Sequence, residues 1–77
     1  MKRKKLTELR QDRNWKQEDV VYRLKEFYEI SISASYYGMI EQGVRTPNLQ
    51  LGIAIAELFE TEIKDLFFCS STQQIVG

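Results

Sequence analysis

The stretch that decides the reading of this chain is Ser33-Ala34-Ser35-Tyr36-Tyr37-Gly38-Met39-Ile40-Glu41-Gln42-Gly43-Val44-Arg45-Thr46-Pro47. Ser33 offers a hydroxyl that can cap a helix N-terminus. Gly43 is the natural residue for a left-handed stop, and Pro47 cannot continue a helix. The spacing predicts a short helix over Ala34 to Gln42, too short to stand alone in water. Tyr37 and Ile40 supply its inward side, which leaves Ala34, Ser35, Tyr36, Gly38 and Met39 facing outward. Small residues at 34, 35 and 38 make a thin face that can approach another surface closely. Such a face suits insertion into the major groove of DNA.

Working outward, the pattern reads as five helices with short joints. Lys4 to Arg13 places Leu6 and Leu9 on one face, and Asn14 can take the left-handed stop before Trp15. Gln17 to Tyr28 spaces Val20, Val21, Leu24, Phe27 and Tyr28 three or four apart, and Glu18 and Asp19 suit the positive end of that helix dipole. A β-rich joint, Glu29 to Ile32, leads into the decisive stretch. Asn48 can cap a fourth helix, Leu49 to Phe59, and Thr61 a fifth, Glu62 to Phe68. The fourth helix is apolar on two sides: Leu49, Ile53, Ala56 and Phe59, with Gly52, form the expected core stripe. Leu51, Ala54, Ile55 and Leu58, with Phe67 and Phe68 beyond, form a second flank that needs another cover, and a homodimer interface through Leu51, Ala54, Leu58, Phe67 and Phe68 is expected there. Residues 1–77 read as one domain with a core over 4–68, a basic arm at 1–3 and a C-terminal tail at 69–77, where Ile75-Val76 is long enough only for a brief strand.

Several motifs in this frame resemble the Cro/phage-repressor type helix-turn-helix, the Xre family. Met39-Ile40-Glu41-Gln42-Gly43-Val44-Arg45-Thr46-Pro47-Asn48-Leu49 is similar to the family's Ile-Glu-(Asn/Gln)-Gly-Lys-Arg-x-Pro-Ser-Leu stretch. Leu6-x-x-Leu9-Arg10, Trp15-x-Gln17-Glu18-Asp19-Val20 and Ile63-x-x-Leu66-Phe67 match other family segments in order. The resemblance covers about Leu6 to Phe67. It implies an all-α, compact five-helix lambda-repressor-like DNA-binding domain whose helix-turn-helix is formed by helices 2 and 3. It also implies a sequence-specific transcriptional regulator, of repressor type, binding a palindromic double-stranded operator as a homodimer. By position it assigns Gln17 to a DNA phosphate, and Ser35, Tyr36 and Met39, with Ala34, to the recognition face that Ser33 and Gly38 share. Arg45 and Thr46 match a loop that grips the DNA backbone. Arg10 and Glu41 match a structural pair that sets the angle of the recognition helix. Three departures stand out. Lys16 replaces the usual serine cap, Val21 replaces a small alanine, and the joint over Lys25 to Ile32 is longer than the family's. Few bidentate base readers occur on the recognition face, so shape and phosphate contacts should carry much of the specificity.

The bulk numbers agree with a small folded domain. The 77 residues are 43% apolar and 29% charged, an ordinary globular balance. Net charge is zero, but residues 1–25 hold nine Lys/Arg against four acids, whereas residues 26–77 hold two against seven, giving halves of +5 and −5. Such polarity suits a basic face for a polyanion. It also admits the alternative of an antitoxin-like protein-interaction module, whose acidic, apolar C-terminal half would bind a toxin partner. The basic start lacks the apolar run of a secretory signal, no stretch approaches the ~20 apolar residues of a membrane span, and the single cysteine, Cys69, suits a reducing compartment. A cytoplasmic protein is expected. There is no histidine, no paired cysteine and no phosphate-binding glycine loop. Neither an enzyme, a metal, a cofactor nor a small-molecule ligand is therefore expected.

Overall fold

The computed structural model describes residues 3–68. It is all-α: four α-helices, α1 (Lys4–Asp12), α2 (Gln17–Tyr28), α3 (Ala34–Glu41) and α4 (Leu49–Leu58), followed by a single π-helical turn, Lys64–Phe68. That turn stands where the sequence predicts a fifth helix from Glu62. The tail at 69–77, with Cys69 and the Ile75-Val76 pair, lies outside the described residues.

The helix boundaries follow from local chemistry. Ser33 Oγ accepts the Tyr36 N–H at 3.0 Å and Asn48 Oδ1 accepts the Leu51 N–H at 2.9 Å, each cap contributing about 1 kcal/mol. Lys16 has no acceptor to offer at the head of α2. Asp19 reaches back instead and accepts the Lys16 N–H at 2.8 Å, half of a capping box. Three helices end alike, with a left-handed residue followed by an N–H that returns to the carbonyl five residues earlier. Asn14 (φ 59°) precedes the Trp15 bond to Arg10, Gly43 (φ 81°) the Val44 bond to Met39, and Glu60 (φ 57°) the Thr61 bond to Ala56. Glu29 (φ 57°) closes α2 with a wider return, from Ile30 N–H to Leu24 O. The long joint found in the sequence is thus a full-length α2 followed by an open Ile30–Ile32 segment, not a tight turn.

Leu6, Val20, Leu24, Tyr37, Ile40, Ile55 and Phe59 form the fully buried core. α3 packs on both α1 and α2, and α4 packs on α2. Among the α2 residues expected inside, Phe27 is instead 69% exposed, as the i+3 position from Leu24 falls on the solvent edge of the stripe.

On α4 the expected core stripe holds at Gly52, Ala56 and Phe59, which are buried, and fails at its outer members. Leu49 (64% exposed) and Ile53 (41%) face outward, whereas Leu51, Ala54 and Ile55 are buried. Gln50 and Glu57, seven residues apart, mark the exposed side of the helix, and Ile53 lies between them on that side. Gly52 is the point of closest approach: a Cβ there would lie 3.1 Å from Ile63 Cδ1. Turning Gly52 toward the π-helical turn carries Leu51 and Ala54 inward with it. The dimer flank expected from Leu51, Ala54, Leu58, Phe67 and Phe68 accordingly loses Leu51 and Ala54. Leu51 and Ala54 belong to the core, Leu58 and Phe67 are partly buried against it, and the Phe68 side chain lies outside what is described.

Candidate nucleic-acid interface

The site is built around one buried carboxylate. Glu41, at the last position of α3, is only 3% exposed. Arg10 on α1 grips it with a fork: Nε donates to Oε2 at 2.6 Å and Nη2 donates to Oε1 at 3.1 Å. Thr7 Oγ1 donates to Oε1 at 3.1 Å and Gln17 Nε2 at 3.2 Å. Arg10 Nη1 also donates to Trp15 O at 2.9 Å, so the same guanidinium holds the joint between α1 and α2. Burial alone would raise the Glu41 pKa, but hydrogen bonds from Arg10 and Gln17, the approach of the Tyr37 hydroxyl and the Arg10 charge outweigh it and leave the pKa lowered. The Arg10 pKa is raised in turn, chiefly by its hydrogen bonds to Glu41. One end of α3 is therefore fixed to α1 and α2 by charge-assisted, geometrically specific bonds.

Gln17 was expected at a DNA phosphate. Here its amide bonds to Glu41 and lies over Gly38. Gly38 was expected on the outer face but is buried, because the start of α2 crosses it closely; a Cβ at 38 would meet Gln17 Oε1 at 3.0 Å. Tyr36, also expected outward, is half-buried against the core beside the Ile30–Ile32 joint. What α3 presents to solvent is narrower: Ser33, Ser35 and Met39 are exposed, with Ala34 partly so. Gln42, Val44, Arg45 and Thr46 continue that exposed surface. None of these residues is acidic, and the one carboxylate on α3 is turned inward and neutralised. The first turn of α3 carries no acid, whereas that of α2 carries Glu18 and Asp19.

Sequence reasoning missed Arg3. It is no free arm: Nη1 donates to Ile40 O at 2.7 Å and to Arg45 O at 3.1 Å, and Nη2 donates to Thr46 Oγ1 at 3.3 Å. The guanidinium also lies 5.1 Å from the Phe67 ring centroid. No periodic signal marks a contact between residues so far apart, and a basic run at a chain end reads as solvated.

Tyr37 is fully buried, as its spacing predicts, yet its hydroxyl makes no hydrogen bond of good geometry. Burial, the nearby Glu41 charge and the hydroxyl's approach to that carboxylate, close but poorly aligned, raise its pKa above the ordinary tyrosine range. A buried, unsatisfied hydroxyl costs about 1–3 kcal/mol. Tyr37→Phe should therefore leave stability unchanged or raise Tm by a few degrees, since about 1 kcal/mol moves Tm by ~4–8 °C in a domain this small. A thermal melt checks it, and a fall in Tm would show that the phenol supports Glu41.

Comparison with protein-family models, curated proteins and solved structures finds no match for this chain. No helix among the described residues is long and apolar enough to cross a membrane.

Proposed function

We propose that this protein is a sequence-specific, double-stranded DNA-binding regulator of repressor type, with α2 and α3 acting as a lambda-repressor-like helix-turn-helix and α3 entering the major groove. The observation that carries the proposal is the charge and breadth of the α3 face. A short helix is fixed from behind by the Arg10–Glu41 fork, while its exposed side is thin, free of carboxylates and continuous with Arg45. A polyanion can approach that surface without meeting a like charge, and its phosphates would find an uncompensated helix N-terminus at Ser33 to Ser35. Ser35 and Met39 stand one helical turn apart and are placed to touch base edges. Arg45 and Thr46 would hold the backbone, and Gln17 would act by positioning α3. The reading places the protein in the cytoplasm, where its DNA would be.

Two copies on a palindromic operator, with half-sites about one DNA turn apart, belong to the same proposal. Their contact would use surface other than Leu51 and Ala54; Leu49 and Ile53 are the exposed apolar residues of α4. Selection of bound sequences from random DNA, followed by a gel shift on the winner, tests the proposal. Expected is a retarded band at low salt whose sequence preference survives competitor DNA. Absence of any band at low salt would overturn the reading.

Arg45→Ala provides a finer check. It should weaken selected and random sequences about equally and reduce the slope of log affinity against log salt by about one unit, as loss of one phosphate contact requires. A change of preferred bases would assign Arg45 to base reading instead.

A further inference from the structure

An α-helix leaves its last four carbonyls without partners inside the helix. In α3 these are Gly38, Met39, Ile40 and Glu41, and every one is satisfied. Gln42 N–H donates to Gly38 O, and the Val44 and Arg45 N–H groups both donate to Met39 O. Ile40 O takes the Gly43 N–H and the Arg3 guanidinium, and Glu41 O takes the Arg3 backbone N–H at 2.7 Å. Two of the four carbonyls are thus closed from the far end of the chain. α3 has no basic residue in its own last turn, so the cation that favours the negative end of its dipole is also supplied by Arg3. The same guanidinium continues past the helix to Arg45 O and Thr46 Oγ1, on the loop expected to meet DNA.

We propose that Arg3 is a positioning residue: it caps α3 from the N-terminus and fixes the Val44–Thr46 loop, and it does not serve as a DNA-contacting arm. The role depends on the planar fork. One nitrogen reaches two carbonyls while the other reaches a hydroxyl, which the single ammonium of lysine cannot reproduce. Its value for DNA binding rests on the function proposed above, but the capping role does not.

The experiment compares Arg3→Ala, Arg3→Lys and Thr46→Val with the unaltered chain, by amide hydrogen exchange without DNA and by affinity for the selected operator. Expected is at least tenfold faster exchange of the Val44 and Arg45 amides in both Arg3 variants, with Val20 and Leu24 in α2 unchanged, and a smaller effect in Thr46→Val. Operator affinity should fall in both Arg3 variants while the salt slope stays as in the unaltered chain. Unchanged loop exchange, full rescue by lysine, or equal acceleration of loop and α2 amides would each overturn the proposal. So would a salt slope reduced by about one unit in Arg3→Ala and kept in Arg3→Lys, since that marks a phosphate contact. If the unaltered chain binds no DNA, the proposed function fails and the exchange data alone decide the capping role.

Discussion

Arg10→Ala should remove a large part of the folding free energy of this domain. The mutation would leave the Glu41 carboxylate buried with no cationic partner, held by the neutral donors Thr7 and Gln17. Breaking a buried pair by removing one partner costs about 3–5 kcal/mol. A chain of this length has only about 4–12 kcal/mol to lose, at ~0.05–0.15 kcal/mol per residue. Urea unfolding should show a sharply lower midpoint, and a substantial unfolded fraction at 37 °C. Glu41→Ala should be comparable, because it strands the Arg10 guanidinium. The double replacement Arg10→Met with Glu41→Leu should recover much of the loss, since well-packed apolar side chains often match a buried ion pair. Equal losses in the single and double variants would mean that shape, not charge, holds α3 in place.

The same pair sets an acid dependence. The Glu41 pKa is lowered on folding, because the Arg10, Tyr37 and Gln17 side chains and the Arg10 charge together outweigh burial. A depressed carboxylate contributes stability that is fully present above the ordinary glutamate value of about 4.3. That contribution is lost as pH falls through the lower folded value. Denaturation midpoints measured across this range should decline in the unaltered chain and decline less in the Arg10→Met, Glu41→Leu protein.

How legible these features were depends on the range over which they act. Ser33, Asn48, Asn14 and Gly43 were readable because a cap or a left-handed stop is set by one residue and its next few neighbours. Tyr37 and Ile40 were readable because α3 has one apolar stripe. α4 was readable only in part: Ala56 and Phe59 are buried as expected, but Leu49, Leu51, Ile53, Ala54 and Ile55 satisfy two rotations, and the choice rests on Gly52 meeting Ile63. Gly38 misled for a related reason: an exposed glycine and a glycine under a crossing helix look the same in a sequence. Glu29 and Glu60 take left-handed conformations for which no local preference exists. The Arg10–Glu41 pair came only from the family resemblance, and Arg3 came from neither source. Both are contacts between distant segments, which leave no periodic trace.

Ser35→Glu separates folding from the proposed function more cleanly than any deletion of a contact. Ser35 is exposed in the first turn of α3, where a carboxylate would face the positive end of the helix dipole. Acids in such positions stabilise helices by about 0.3–1 kcal/mol, and glutamate has a better helix propensity than serine. On folding grounds the substitution should therefore hold or slightly raise Tm, as Glu18 and Asp19 favour α2. If α3 enters the major groove, the same carboxylate would stand before phosphates and base edges. A like charge in an interface costs several kcal/mol, and ~2.7 kcal/mol already corresponds to a hundredfold in affinity. Operator binding should fall at least about a hundredfold at low salt while the melt is unchanged or improved. Ser35→Gln, nearly the same in shape but uncharged, should lose far less. Retained affinity in Ser35→Glu, with a preserved melt, would place the DNA elsewhere on the molecule. The missing acid at the head of α3 is a small stability left unused, and a polyanionic partner gives that omission a physical reason.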